Sequence, residues 1–399
     1  MLTATSMGSQ SSTHGADNPN QCTQDNVIPR HLIQNTYNQL HIKYAHDLYE
    51  WWVEETEPSN KHISESLTIA AFLIELWRTM YGACPSLEQT STPEKEEHIQ
   101  AQNFPGFVDL ACGNGVLVYV LLVEGYAGCG FDARRRKSWT LFPDWVQERL
   151  QEAVFVPHPF MEVFRASPLS REIGTDVHPG DFSKDTFLIS SHADELTVWT
   201  PLMAALACPM SPLPFLVIPC CSHALSGSRY RYPPPKRESQ TAKNGKSGSV
   251  EANEFLPRLL GQDSQPAAGD LRALRADKTV EKTMDGMPSS MYGSLTAKTM
   301  SVAEEIGYAV EQNLLPIPST RNMGIAANRQ QVTRQWRERT QQTNMEKSAY
   351  TGVDAVVQAV NAVVERECSQ DGGVEAAAKI WIEHTRGLLQ DQGMANRAH

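Results

Sequence analysis

The stretch that decides the fold of this chain is Phe107-Val108-Asp109-Leu110-Ala111-Cys112-Gly113-Asn114-Gly115. A second apolar run, 116–122, follows it directly. An apolar run, a glycine-rich turn and another apolar run predict a strand, a tight turn and a helix, which open a βαβ unit. Glycine lets such a turn adopt positive φ and lets a ligand approach the free N–H groups of the helix. The stretch therefore predicts an α/β fold with a ligand site at this turn.

The spacing of the glycines excludes two common phosphate sites. A dinucleotide site needs G-x-G-x-x-G, but Val118 stands at the third position, and no lysine follows as a P-loop requires. A second predicted strand, 126–132, ends at Asp132, 23 residues after Asp109, near the spacing at which a carboxylate binds ribose. This pattern resembles the S-adenosylmethionine-dependent methyltransferases. The resemblance implies that the cofactor S-adenosylmethionine is bound by Asp109, Gly113, Asn114, Gly115 and Asp132.

Composition limits the class of protein. The chain has 399 residues and is 41% hydrophobic, enough for one large or two ordinary packed domains. Its formal net charge of -11 means that a nucleic-acid partner needs a local basic face. The eight cysteines form no C-x-x-C pair, which favours reduced thiols over a zinc module or a disulfide framework. Without a signal peptide or a long apolar run, we expect a cytoplasmic protein with no membrane partner.

Shifts in composition divide the chain into seven segments. The core is expected to include further strands within 160–164, 186–192 and 214–221, and a hairpin segment at 314–322 that completes the sheet. The predicted segments are a disordered tail (1–30), an N-terminal helical segment (31–83), a linker (84–104), the cofactor half of the core (105–227), a flexible insertion (228–289), the end of the core (290–327) and a C-terminal helical extension (328–399).

The densest basic run of the chain is Arg134-Arg135-Arg136-Lys137, directly after the second predicted strand. A charge run is most often a solvated surface. This one, however, follows the carboxyl end of a strand, which is the edge where ligands bind in open α/β folds. We therefore expect these four cations to contact the phosphates of a nucleic acid.

A third group of polar residues, His192, Asp194 and Glu195, lies at the end of the predicted strand 186–192 and directly after it. In methyltransferases of this type the corresponding position faces the methyl group and its acceptor. His192, Asp194 and Glu195 are therefore expected to orient or deprotonate an acceptor hydroxyl. The alternative is that the acids cap the next helix and His192 is a core imidazole. Cys220, Cys221 and His223 lack a fourth nearby ligand, so we expect no metal.

Together these features resemble the tRNA (uracil-2'-O-)-methyltransferases that modify ribose 44 of serine tRNAs. The resemblance implies an α/β, Rossmann-like class I methyltransferase with a seven-stranded, mostly parallel sheet and helices on both faces. It also implies Arg321 as a further phosphate contact. The motifs, spread over residues 40–325, are Lys61-His62 with the helix 69–77, the stretch 107–115, Asp132 with the basic run and Trp139, the segment 192–199, Pro219-Cys220-Cys221, and Ile317-Pro318-Ser319-Thr320-Arg321.

The chain departs from this family at three positions. Ala111 stands where glycine is usual, Ser191 where asparagine is usual and Ala193 where serine is usual. Two other functions remain compatible with the sequence: methylation of a protein or small molecule, and non-catalytic binding of RNA by a retained fold. Binding of tRNA that weakens steeply with salt would favour tRNA methylation over methylation of a protein or small molecule. Catalytic turnover on tRNA would exclude the non-catalytic binding protein. The sequence assigns neither a general base nor an accessory protein.

Overall fold

The computed structural model of the protein describes residues 27–51, 59–85, 104–234, 290–341 and 353–390. Most of the predicted tail, linker and insertion therefore lies outside the described residues. The strands are β1 (Phe107–Leu110), β2 (Gly128–Asp132), β3 (Leu150–Phe155), β4 (Asp176–His178), β5 (Phe187–Ser191), β6 (Phe215–Ile218), β7 (Val310–Leu314) and β8 (Met323–Ala327).

The helices surround this sheet, and short 3₁₀ turns span Lys137–Leu141, His158–Phe160 and Ser369–Asp371. No helix within the described ranges has the length and apolar composition needed to cross a membrane. The α-helices are α1 (Arg30–Trp51), α2 (Ser59–Tyr81), α3 (Val116–Val123), α4 (Asp144–Gln147), α5 (Met161–Ala166), α6 (Leu169–Glu172), α7 (Leu196–Ala207), α8 (Met291–Glu305), α9 (Arg329–Gln341), α10 (Val353–Cys368) and α11 (Val374–Gln390).

The sheet confirms the Rossmann-like prediction and corrects its strand count from seven to eight. The order is β4-β3-β2-β1-β5-β6-β8-β7. Strands β1 to β6 pair in parallel, whereas β8 runs antiparallel to both β6 and β7. The added edge strand, β4, has only three residues, too few for an alternating pattern to be visible in the sequence.

The prediction of a strand at 160–164 is wrong. Phe160 ends a 3₁₀ turn and residues 161–166 form α5. The third strand is β3, whose second and third residues are the polar Gln151 and Glu152 and therefore hide it in the sequence. The predicted hairpin segment at 314–322 is mainly the connection between β7 and β8.

Side chains that alternate along the central strands pack into two hydrophobic clusters, one on each face of the sheet. On one face Trp77 of α2 is stacked against Phe107 of β1, with ring centroids 5.7 Å apart. On the other face Trp199 of α7 meets Phe160 and Trp381 edge to face. Helices thus cover both faces of the sheet, as predicted, and α11 belongs to the second cluster.

Candidate active site

A cavity of about 360 Å³ lies at the carboxyl ends of β1, β2, β3 and β5. The strand order reverses between β1 and β5, and the crevice at such a switch point is the usual ligand site of open α/β sheets. Residues from α2 and α11 complete the lining. The cavity therefore combines side chains that are far apart in the sequence.

The glycine turn after β1 forms one wall of the cavity. Gly113 has φ of +53°, and a Cβ placed on it would meet no atom within 4 Å, so this side of the turn is open. A Cβ on Gly115, at φ +76°, would instead lie 3.1–3.2 Å from Leu150, Phe142 and Trp139. The Trp139 indole N–H donates to the Gly113 carbonyl at 2.9 Å. Packing on one side of the turn thus leaves its other side free for a ligand.

Asp132, at the end of β2, is tied to this turn. Its carboxylate accepts hydrogen bonds from the backbone N–H groups of Gly113 (2.9 Å) and Arg134 (3.1 Å). The Arg136 guanidinium lies 3.5 Å from the same carboxylate. Asp132 is 6% exposed and lines the cavity. The ribose contact expected of Asp132 stays a prediction, and its carboxylate is placed where a ligand in the cavity can reach it.

Asp109 is the most unusual acid of the site. It is 3% exposed and lines the cavity. Within the described part of the chain its carboxyl group has no hydrogen-bond partner. Burial, and then repulsion from Asp132, raise the pKa of Asp109 well above its usual value. A cationic ligand in the cavity would relieve this unfavourable position by stabilising the carboxylate.

The three predicted acceptor-side residues all line the cavity, and each side chain has a partner from another element. His192 Nε2 lies 3.0 Å from Glu65 Oε1 of α2. Glu195 Oε1 lies 3.2 Å from His384 Nε2 of α11. These two contacts fix the loop from two sides.

The backbone of this loop is also strained. His192 and Asp194 have φ of +54° and +44°, in the left-handed region that non-glycine residues rarely adopt. Such strain is found mostly at functional sites, where surrounding contacts maintain it. The Cys220 thiol, whose pKa burial raises, donates to Asp194 Oδ1 at 2.7 Å and contributes one such contact.

Asp194, Cys220 and Cys221 place three potential metal ligands within 4.8 Å of one another. A structural zinc site uses four protein ligands, one more than this group offers. A guanidinium nitrogen of Arg321 also lies 3.4 Å from Cys221 Sγ, where it would repel a cation. The His223 imidazole is not part of the group. We interpret the cluster as a hydrogen-bonded link between the loop after β5 and the loop after β6.

The structure separates the residues predicted to bind RNA. Arg134 and Arg136 line the cavity, and Arg136 is partly engaged by Asp132. Arg135 is exposed and donates to Gln147 at 3.1 Å, and Lys137 is exposed. Arg321 is exposed in the β7–β8 connection and does not line the cavity.

Sequence reasoning picked out His62 of α2 within a motif but missed Glu65 of the same helix and the cavity residues of α11. Glu65 lies in the apolar sequence of α2, three residues after His62, which also lines the cavity. The side chain of Lys61 lies outside the described residues. From α11 the cavity receives Trp381, His384, Thr385 and Leu388. Their spacing of i, i+3, i+4 and i+7 predicts that they share one face of a helix. It does not predict that this face lines the cavity.

The chain is similar to a family model and to several curated proteins. A family model described as "Predicted AdoMet-dependent methyltransferase" matches residues 27–92 and 94–157. The chain is 53% identical over 394 residues to a tRNA (uracil-O(2)-)-methyltransferase of Aspergillus oryzae, covering 98% of this chain and 59% of the relative. Proteins with the same name from Neurospora crassa and Schizosaccharomyces pombe are 39% and 36% identical, over 77% and 75% of this chain and 48% of each relative.

The fold, the cavity at the switch point and the family match over residues 27–157 are those of the S-adenosylmethionine-dependent methyltransferases. Over at least 75% of its length the chain is similar to tRNA (uracil-O(2)-)-methyltransferases. The chain spans about half to three-fifths of the length of the curated relatives named above.

The residues present fit S-adenosylmethionine, the methyl donor of this class. The cofactor carries a positive sulfonium and an ammonium group, and the unpartnered Asp109 carboxyl supplies a matching negative charge inside the cavity. The Asp132 oxygens can accept from ribose hydroxyls in addition to their backbone donors. The open side of Gly113 leaves room for close approach.

Proposed function

We propose that this chain transfers the methyl group of S-adenosylmethionine to the ribose 2'-hydroxyl of a uridine in tRNA. The names of the curated relatives support the substrate and reaction. The observation that carries the proposal is the His192–Glu65 pair, which adds an oriented imidazole to the cavity that contains Asp109 and Asp132.

The acceptor hydroxyl must lose its proton as its oxygen attacks the methyl carbon. When His192 Nε2 donates to Glu65, Nδ1 is the unprotonated nitrogen that accepts this proton. Glu65 then stabilises the imidazolium and fixes the ring, which makes it a positioning residue. Asp194 and Glu195 hold the loop that carries His192 through Cys220 and His384. Alignment of the attacking oxygen with the methyl group supplies much of the rate.

The phosphates of tRNA would meet the basic run. Arg134, Arg135, Arg136 and Lys137 lie beside the cavity mouth or on the adjoining surface, and we assign Arg321 to a more distant phosphate. Concentrating cations in this way offsets the net charge of -11.

As the specific acceptor we propose uridine 44 of serine tRNA, on the basis of the sequence motifs. As the compartment we propose the cytoplasm, which fits the seven free cysteines of the described residues.

The experiment is methyl transfer from labelled S-adenosylmethionine to tRNA that lacks the modification, with the labelled nucleotide mapped. Label on one uridine ribose, lost in Asp109→Ala and Asp132→Ala, is expected. Label on another acceptor would replace tRNA as the substrate. If the protein binds tRNA and cofactor but transfers no label, it is a non-catalytic binding protein. Protein that binds no cofactor would exclude the enzymatic function.

A further inference from the structure

Helix α11 forms the wall of the cavity next to the carboxyl end of β3. The Trp381 indole N–H donates to the carbonyl of Phe155, the last residue of β3, at 3.0 Å, and Trp381 is 2% exposed. The His384 ring is paired with Glu195, and a Cβ on Gly227 would lie 3.3–3.4 Å from Trp381 and His384. The helix is therefore packed firmly against three separate parts of the core.

The side of the cavity that α11 covers is defined by the order of the strands. Asp132 ends β2, and β3 is the next strand outward from it. With the ribose at Asp132, the base attached to that ribose extends toward the ends of β3 and α11. The lining there combines apolar groups from Val154, Phe155 and Leu388 with the hydroxyl of Thr385. Such a mixture suits a flat heterocycle with a few polar atoms.

Thr385 has a hydrogen-bonding capacity that fits adenine. It is 3% exposed, and its hydroxyl donates to the Trp381 carbonyl at 2.9 Å. The proton is thereby committed within the helix, so the hydroxyl oxygen of this cavity-lining residue is left as an acceptor. The exocyclic amino group of adenine is a donor.

We propose that α11 is the adenine-recognition element of the cofactor site, an inference that rests on the proposed function. Thr385 accepts a hydrogen bond from the exocyclic amine of adenine, and Leu388 packs on the ring. These residues lie well beyond residue 157, where the match to the family model ends. The C-terminal helices would then be part of the cofactor site and not an appendage to it.

The test is calorimetric binding of two probes to the full chain: S-adenosylhomocysteine, and its analogue that carries purine in place of adenine. Wild-type protein is expected to bind the adenine probe about three- to tenfold more tightly, as one hydrogen bond predicts. Thr385→Val should remove this preference and Thr385→Ser should restore it. Leu388→Ala should weaken both probes about tenfold.

The neighbouring Leu389 is half-buried and does not line the cavity, so Leu389→Ala is the matched control and should bind both probes like the wild type. Thermal unfolding without ligand checks that each variant is folded. Equal affinities of wild type, Thr385→Val and Leu388→Ala would overturn the proposal. If the α11 variants bind like the wild type but Asp132→Ala binds neither probe, the proposal for α11 is wrong and the proposed function is retained. Wild-type protein that binds neither probe would overturn both.

Discussion

His192 and Glu65 lie 127 residues apart in the sequence, yet His192 Nε2 and Glu65 Oε1 are 3.0 Å apart at the edge of the cavity. His192 follows β5, and Glu65 belongs to α2, where the sequence motifs include Lys61 and His62 but not Glu65. The pair has the geometry of a base and its orienting acid. In the proposed function, this pair, more than the glycine turn, connects the fold to the removal of a proton.

Glu65→Gln should lower kcat because the amide cannot stabilise an imidazolium as a carboxylate does. We expect a decrease of about 10- to 100-fold, with little change in KM for tRNA. Single-turnover kinetics over a range of pH would measure it. Glu75→Gln makes the same change at a buried acid of the same helix, which is bonded to Thr36 and Arg78, and should leave kcat unchanged. Equal losses in both variants would indicate that α2 is merely destabilised.

Asp109→Asn should stabilise the ligand-free protein and weaken cofactor binding. Since the folded-state pKa of Asp109 is raised, the folded protein binds its proton more tightly than the unfolded chain does. Wild-type stability therefore falls as pH rises above about 3.9, and the variant avoids that loss. At neutral pH we expect a gain of about 1–2 kcal/mol by urea unfolding. Asp176→Asn, at an exposed strand residue, is the control and should show no gain.

His384→Gln should change how stability depends on pH. The hydrogen bond to Glu195, more than the nearby charges, raises the pKa of His384. A raised pKa stabilises the fold fully below the unfolded value of about 6.5, and this contribution is lost as pH rises through the folded value. The stability of the wild type relative to the variant should therefore shrink from pH 6 upward. A difference that stays constant with pH would show that the pair has no electrostatic role.

Replacing exposed cations of the basic run should weaken tRNA binding without affecting the cofactor. For the double variant Arg135→Ala, Lys137→Ala, each lost phosphate contact should reduce the slope of log affinity against log salt by about one. Filter binding at several salt concentrations measures this slope. Lys184 is exposed just before β5, at the opposite edge of the sheet, and Lys184→Ala should retain the wild-type slope.

Ala111→Gly should stabilise the protein modestly. Ala111 has φ of +54°, which costs a non-glycine residue about 1–2 kcal/mol, partly offset by the greater freedom of glycine in the unfolded chain. The expected net gain is about 0.5 kcal/mol in the free energy of unfolding, with cofactor affinity unchanged. Ala133→Gly, at a nearby cavity residue without positive φ, should instead be neutral or destabilising.

The parts of the site that sequence reasoning found are local in the chain. Strand, turn and helix at 107–123 follow from a single apolar pattern, and Asp132 follows from its distance along the chain. Strand β3 was missed because Gln151 and Glu152 interrupt its apolar pattern. Glu65 and His384 were missed because their roles arise from tertiary contacts, the second across 189 residues. No local periodicity encodes such contacts.

Helices α2 and α11 contribute to the same cavity, although one is translated early and the other after all eight strands of the sheet. A nascent chain that has already formed the sheet still lacks the side of the cavity supplied by α11. Ligand binding then stabilises only chains in which α11 has docked, because a ligand favours the state that binds it. The strands of the sheet are therefore all synthesised before the helix that completes the cavity.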